Sequence, residues 1–335
     1  METPMTFWSK RPVVVAGGTG FIGTALVRRL VELGAQVTAA ARKQSETYVL
    51  PSRWLEADFM NATDATKICE GQEVMFITAA LDGNRAFKTS RASYILHHNT
   101  VIMMNLLEAA RANGVRRIIL LSSAEVYPAA LEAERLCEDT PLSDLMPPDS
   151  SYALSKILAE EAGRALHSEY STNVGVARCG NVYGPGDRST GRRTRVVPQW
   201  IASALAGDDL ELWSHRDSEL SIIYISDLVD GLCRFAEAVD GFEIVNFAHR
   251  DPTSLYNLAQ TIISVGGFDS QLIDRQGGGV ATRRVLDTEV AGSRLEFSAR
   301  TSLIEGIGRT AARPHTVPNA QDRCNGQRSP ITWVY

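Results

Sequence analysis

Five apolar residues, Pro12 to Ala16 (PVVVA), run without a break through Gly17-Gly18-Thr19-Gly20-Phe21-Ile22-Gly23 into FIGTALVRRLVELG, where apolar positions recur at three and four. The first run reads as a buried strand and the second as a helix that Gly34 stops. A strand that turns into a helix over so few residues limits the fold to one in which free backbone N–H groups crown the sheet. Those groups and the helix dipole favour an anion. Of Gly17, Gly20 and Gly23, one makes the turn, one admits the ligand's phosphates to the backbone, and one lets helix pack on strand. A tight corner alone would also use glycine. Its place after the first strand favours phosphate binding, with Phe21 and Ile22 lining the same loop.

The alternation continues. Residues 36–42, 54–57, 73–80, 116–123 and 173–179 read as further strands, with helices over 99–111 and 151–170. Strands separated by helices pair in parallel through right-handed crossovers, so the spacing predicts an α/β fold with a doubly wound parallel sheet. The rhythm loosens after Asn181. The expected division is a dinucleotide-binding domain over 11–181, a smaller C-terminal substrate-binding region over 182–313, and a loose polar tail over 314–335. A strand at about 242–248 is expected to return to the sheet.

Charge narrows the partners. With 34 basic and 39 acidic residues the formal net charge is -5, which speaks against nucleic acid as a partner. The five cysteines contain no CxxC pair, and the six histidines (97, 98, 167, 215, 249 and 315) have no ligand spacing, so no metal is expected. No apolar run approaches the roughly 18 residues of a membrane helix. METPMTFWSK lacks the apolar core of a signal peptide. The expected setting is cytoplasmic, with no membrane partner.

The second strand ends in Ala40-Ala41-Arg42-Lys43. An acid at that place bonds the ribose of NAD, whereas cations suit the 2′-phosphate of NADP. Arg42 and Lys43 therefore favour NADP(H), with NAD(H) as the second choice. Asp58-Phe59, after the third strand, is placed to cap the adenine.

Tyr152 and Lys156 stand four apart in a helical segment and share a face. Ser122-Ser123 closes the fifth strand, and carboxyl ends of strands line the ligand crevice in such sheets. A hydroxyl, a phenol and an ammonium then meet near one point, which suits hydride transfer at a carbonyl or alcohol carbon. A phenol near pKa 10 needs about 4 kcal/mol to ionise near neutrality, and a cation about 4 Å away supplies that much. The expectation is that Lys156 lies beside Tyr152 and lowers it, while Ser123 holds the reacting oxygen. Alone, a Tyr-x-x-x-Lys pair is as readily a surface accident.

GGTGFIG at Gly17, Asn99 before a helix, LLSSAEVYP at Leu120, SYALSK at Ser151, ARCGNVYGPGD at Ala177, IIYISDLVDGL at Ile222 and TSLIEGIGRT at Thr301 occur in that order. Over about residues 11–312 the chain resembles the extended short-chain dehydrogenases/reductases, specifically the nucleotide-sugar epimerase/dehydratase family, whose core is a Rossmann fold. The resemblance implies that Ser123, Tyr152 and Lys156 are catalytic. It implies that Thr78, Ala79, Ala80, Asn99 and Cys179 line the cofactor, together with Tyr152 and Lys156. Asn181 would contact the nucleotide-sugar, and Arg192, Arg193 and Arg195 would meet its diphosphate. Glu125 stands where dehydratases of the family carry an acid, but Ala124 replaces the Asp that normally precedes it. Leu220-Ser221 replaces the family's Arg-Asp before IIYISD. Either Arg216 or the lid arginines replace that Arg, or the substrate is no standard nucleotide diphosphate sugar. A homodimer is implied by analogy.

The leading expectation is an NADPH-dependent 4-keto-(6-deoxy)hexose reductase acting at C4 of a nucleotide-sugar. The alternatives are a 4-epimerase or dehydratase that retains NAD, a reductase of a non-sugar carbonyl, and a non-catalytic cofactor-sensing protein.

Overall fold

In the computed structural model, residues 7–43, 51–127, 134–142, 150–187, 195–267, 269–275 and 281–312 are described. The expected tail and the lid residues Arg192 and Arg193 lie outside them. The first half runs β1 (Pro12–Ala16), α1 (Phe21–Glu32), β2 (Gln36–Ala41), β3 (Arg53–Glu56), α2 (Ala62–Cys69) and β4 (Val74–Ile77). It continues with α3 (Arg85–Ser90), α4 (Ala92–Ala112), β5 (Arg117–Ser123), α5 (Ser151–Tyr170) and β6 (Asn173–Cys179). A 3-10 turn at Ala124–Val126 follows β5. The second half has β7 (Asn181–Tyr183), α6 (Val196–Leu205), β8 (Leu210–Leu212), β9 (Glu219–Leu220), β10 (Ile222–Tyr224), α7 (Ile225–Ala238) and β11 (Phe242–Phe247). It ends with β12 (Thr253–Ser254), α8 (Leu255–Gly266), β13 (Leu272–Asp274), β14 (Arg283–Arg284), α9 (Glu289–Leu295) and α10 (Leu303–Ala311).

Seven strands form one sheet in the order β11-β6-β5-β4-β1-β2-β3, and every neighbouring pair is parallel. The chain order reverses between β1 and β4, and ligands of doubly wound sheets bind in the crevice outside that switch point. Alternate residues of β1 serve the two faces, as the period of a strand requires. Val13 and Val15 pack with Leu26, Val27 and Leu30 of α1 and with α7. Val14 and Ala16 pack with Ile68 of α2 and with Met103, Leu106 and Leu107 of α4. Residues 242–247 do return to the sheet, as its edge strand β11.

One boundary differs from expectation in a way that matters. Helix α4 begins at Ala92 and not at Asn99, so Asn99 lies well inside it and not at its head. The polar stretch Thr89–Ser93 hides the start of α4, because α3 and α4 abut at Arg91 with no loop between them.

Among the second-half strands, β7 pairs with β10, β8 with β13, and β9 lies between β12 and β14. These short sheets sit where the long sheet's regular alternation ends. They place Asn181, Leu220 and Arg284 along one side of the crevice.

Candidate active site

A crevice of about 1650 Å³ opens over the carboxyl ends of the long sheet. Its glycine wall has almost no room for side chains. Gly17 has φ +94, and a Cβ there would lie 2.7 Å from the backbone N of Ala79. A Cβ on Gly23 would lie 2.1 Å from the Gly17 carbonyl oxygen. Gly20 caps α1 with extended backbone and no side-chain hydrogen bond. The first-turn N–H groups of α1 therefore face the crevice uncapped by any side chain, which fits a pyrophosphate. Phe21 and Ile22 line the same wall. Thr78, which donates its hydroxyl to the Ala16 carbonyl at 2.9 Å, lines it together with Ala79 and Ala80.

At the far end of this wall Arg42 and Lys43 are exposed just beyond β2, and Asp58 and Phe59 lie beside them. Asp58 closes its own turn by accepting from the Met60 N–H at 3.1 Å, and Phe59 is buried. Sequence reasoning missed His98, which lines the same end. Burial, then Arg42, lowers its pKa. Its Nδ1 is buried without a hydrogen-bond partner among the described residues.

Asn99 is not among the lining residues. It is buried, accepts from the Leu81 N–H at 2.7 Å and donates to the Leu81 carbonyl at 3.1 Å. It also donates to Ser155 at 3.2 Å. It thus fixes the lining segment after β4 and ties α4 to α5, rather than touching the cofactor space itself.

Tyr152, Lys156 and Ser123 all line the crevice. Lys156 Nζ donates to the Leu121 carbonyl at 2.6 Å and lies 5.6 Å from the centre of the Tyr152 ring. Ser123 accepts from the Glu125 N–H at 3.1 Å, which leaves its own hydroxyl proton to donate. The expected lowering of the phenol does not occur in the protein alone. Burial, with the carboxylates of Asp82 and Glu125, pushes Tyr152 well above its ordinary value. Burial also pushes Lys156 down from 10.5 to about 8. Both side chains are taken out of water, and one ammonium does not offset that cost for the phenolate. Cys179, at the end of β6, is buried and its thiol is pushed up to about 12, so it lines the site without ionising.

Glu125 is not a free carboxylate. It accepts from Lys88 Nζ, which also reaches Asp82 at 3.0 Å and lies 4.4 Å from the centre of the Tyr152 ring. Lys88 escaped sequence reasoning because nothing local marks it; it meets Glu125 across a separation of 37 residues.

The floor is held by a buried network. Tyr152, Lys156 and Glu160 repeat at four residues along α5. Glu160 accepts from Ser122 and from Arg178, the latter at 2.7 Å. Arg178 also donates to Tyr127 at 2.9 Å, and Tyr127 donates to Asn246 at 2.8 Å. This network links α5 to β5, β6 and β11. The arrangement satisfies buried charges that would otherwise be costly.

On the opposite wall, Asn181 donates to the Ser221 carbonyl at 3.2 Å and is exposed to the crevice. Arg195 lines the crevice, pairs with Asp187 at 2.9 Å and lies over Phe21. Arg216 lies over Tyr256, 4.1 Å from the ring centre, and does not line the crevice. A residue that sequence reasoning missed stands in its place. Arg284 pairs in register with Leu220, lines the crevice, and has a buried Nε with no hydrogen-bond partner among the described residues. Trp213 and Glu211 lie farther along this wall. Among the described residues no group of three His, Cys, Asp or Glu could hold a metal, and no helix is long and apolar enough to cross a membrane.

Comparison with known proteins agrees with this geometry. The profile of the NAD dependent epimerase/dehydratase family matches residues 13–248. The chain is similar to a dTDP-4-dehydro-6-deoxy-D-allose reductase of Streptomyces bikiniensis, at 32% identity over 92% of this chain and 98% of that protein. It is 28% identical to a GDP-mannose 3,5-epimerase of Arabidopsis thaliana, over 88% of this chain and 80% of that protein. Among solved structures, MoeE5 in complex with UDP-glucuronic acid and NAD aligns with a TM-score of 0.79 and 27% identity, covering 90% of this chain and 97% of that one.

Proposed function

The chain belongs to the NAD dependent epimerase/dehydratase family, and from that premise we propose that it is an NADPH-dependent reductase of a 4-keto-6-deoxyhexose carried on a nucleoside diphosphate. The observation that carries this reading is the meeting of Tyr152, Lys156 and Ser123 at the floor of a crevice large enough for two nucleotide ligands.

When bound, a reduced nicotinamide supplies the hydride. The chain's own groups handle the oxygen. Tyr152 is a buried, neutral phenol, the form that a carbonyl reduction needs as proton donor. It gives its proton to the C4 oxygen while Ser123 donates a hydrogen bond to the same oxygen. Lys156, with a pKa of about 8, is an ammonium at neutral pH and stabilises the phenolate as it forms. Arg284 and Arg195 hold the diphosphate. Arg284 thereby fills the role that Leu220 cannot, so the Leu220-Ser221 departure does not require an unusual substrate. Trp213 lies along the same wall, where a nucleobase can stack.

NADPH over NADH follows from Arg42 and Lys43, exposed at the end of β2 with no acid in that strand. The sequence expectations of a cytoplasmic enzyme and of a homodimer are kept as part of the proposal. The dimer would form through α4 and α5, which pack together and leave Met104 and Leu158 41% and 38% exposed. Light scattering checks it.

The deciding assay is NADPH consumption with a panel of 4-keto nucleotide-sugars. The wild type should turn over and Tyr152→Phe should lose roughly a hundredfold or more in kcat while still binding NADPH. The second reading, a 4-epimerase, is favoured by the NAD held by MoeE5. Copurifying NAD, with interconversion of sugars and no net cofactor use, would replace the reductase with it.

A further inference from the structure

Helix α3 carries Lys88 into the catalytic floor by a construction that is visible in detail. The Asn84 side chain starts the helix by accepting from the Phe87 N–H at 2.9 Å. Phe87 folds back over Gly83, where an added Cβ would lie 2.7 Å from its ring. Phe87 also packs with Leu81, Ile95 and Tyr152 in one small apolar cluster. The next residue, Lys88, is thereby turned toward the crevice with its side chain only 12% exposed. Its ammonium lies 4.4 Å from the centre of the Tyr152 ring and between the carboxylates of Asp82 and Glu125.

We propose that Lys88 is a positioning residue of the catalytic centre: seated on the face of the Tyr152 ring, it pairs the Asp82 and Glu125 carboxylates and so weakens their opposition to charge on the phenol oxygen. The inference rests on the reading of Tyr152 as the proton donor.

The charges around the phenol make the case. Tyr152 faces Asp82 from the segment after β4, Lys88 from α3, and Glu125 from the turn after β5. It also faces Lys156 one turn along α5, Cys179 at the end of β6, and Arg195 ahead of α6. Asp82 and Glu125 both oppose its ionisation. The same two carboxylates hold Lys88 above its ordinary value despite its burial, so it stays charged. Reduction leaves a negative oxygen on Tyr152 once its proton has gone to the sugar. Without Lys88, that oxygen forms beside two carboxylates that have lost their shared ammonium, on a phenol that is itself buried. A purely structural Lys88 would tie α3 down and leave the titration of Tyr152 alone.

The test compares wild type with Lys88→Met, Lys88→Gln, Lys88→Arg and the double variant Lys88→Met/Glu125→Gln. Each is paired with its Tyr152→Phe counterpart, so that tyrosinate absorbance differences in the NADP-bound protein report Tyr152 alone. NADPH fluorescence confirms that each variant folds and binds. Both neutral variants should move the Tyr152 titration up by about one to three pH units. They should slow single-turnover reduction of a 4-keto nucleotide-sugar by roughly tenfold to a hundredfold, with KM little changed. Lys88→Arg should restore both, and the double variant should recover part of each. Titration curves that do not differ, an Arg variant that follows Met, or a loss confined to KM overturns the proposal. A wild type that reduces no 4-keto nucleotide-sugar removes the reductase reading instead, and the titration still judges Lys88.

Discussion

On the wall built by β1, α1 and the end of β4 the crevice is lined by glycine backbone and uncharged side chains; on the wall built by β7, β9, β14 and the approach to α6 charged and aromatic side chains also line it. On the proposed reading the first wall would meet a cofactor whose phosphates are the same in every turnover. Backbone N–H groups suffice for that, and the fold excludes anything larger than hydrogen at Gly23. On the same reading the second would meet the nucleotide-sugar, and side chains can be exchanged there without rebuilding the sheet. The contrast teaches that substitution should act by collision on one side and by graded loss of charge on the other.

Gly23→Ala presses hardest on this contrast. The new methyl group would sit 2.1 Å from the Gly17 carbonyl oxygen, and that neighbour is backbone with nowhere to go. Loss of cofactor binding is expected, with destabilisation above about 4 kcal/mol, because either the loop or the helix start must move. Cofactor titration and a thermal melt check it. A variant that binds NADPH normally would break the idea that this wall works by exclusion. Arg284→Ala, on the other wall, should leave the melt and NADPH affinity nearly unchanged. Its effect should appear as a rise in KM for the nucleotide-sugar of about tenfold to a hundredfold, the size of a lost charged hydrogen bond.

The same contrast governs what could be read from the chain alone. The glycine junction is local, and β1, β2, β5, β6 and α5 begin and end within a residue or so of where apolar period and Gly34 place them. Tyr152 and Lys156 are legible because one helix carries both. Arg284 is not, since its place on the crevice wall comes from pairing with Leu220 across strands far apart in sequence. Lys88 is hidden for the same reason. The helix expected to start at Asn99 starts seven residues earlier, at Ala92, because α3 runs directly into α4. The bonds of Asn99, to Leu81 and Ser155, depend on how two helices pack. The phenol's behaviour was misjudged because charge spacing is visible in sequence whereas desolvation is not.

Lys156 belongs to the floor, where the two walls meet, and its substitution separates function from stability. Burial holds its folded pKa at about 8 against 10.5. A base lowered on folding costs stability wherever the unfolded chain holds the proton more firmly, so the penalty is full below about pH 8 and fades as pH rises toward the unfolded value. At about 1.4 kcal/mol per unit, the penalty is on the order of 3 kcal/mol. Lys156→Met should therefore abolish turnover yet stabilise the cofactor-free protein near neutral pH. The gain should be on the order of 1–2 kcal/mol, after about 1 kcal/mol is subtracted for the lost hydrogen bond to Leu121. Urea unfolding at neutral and at alkaline pH measures it. A gain that grows with pH would have the wrong sign.

Arg42→Ala sharpens the comparison at its weakest point, because Arg42 is a charged side chain at the end of the wall whose centre is glycine backbone. It stands exposed at the end of β2, so water and salt screen its charge. The effect should be small, about threefold to tenfold weaker NADPH binding, as for a solvent-exposed charge contact. NADH, which lacks the 2′-phosphate, should bind as before. The ratio of the two dissociation constants is thus the measurement, and added salt should narrow it in the wild type and leave it nearly flat in the variant. Equal weakening of both cofactors would mean that Arg42 shapes the mouth of the site without reading the phosphate. Selectivity would then have to come from Lys43 or His98, which line the same end.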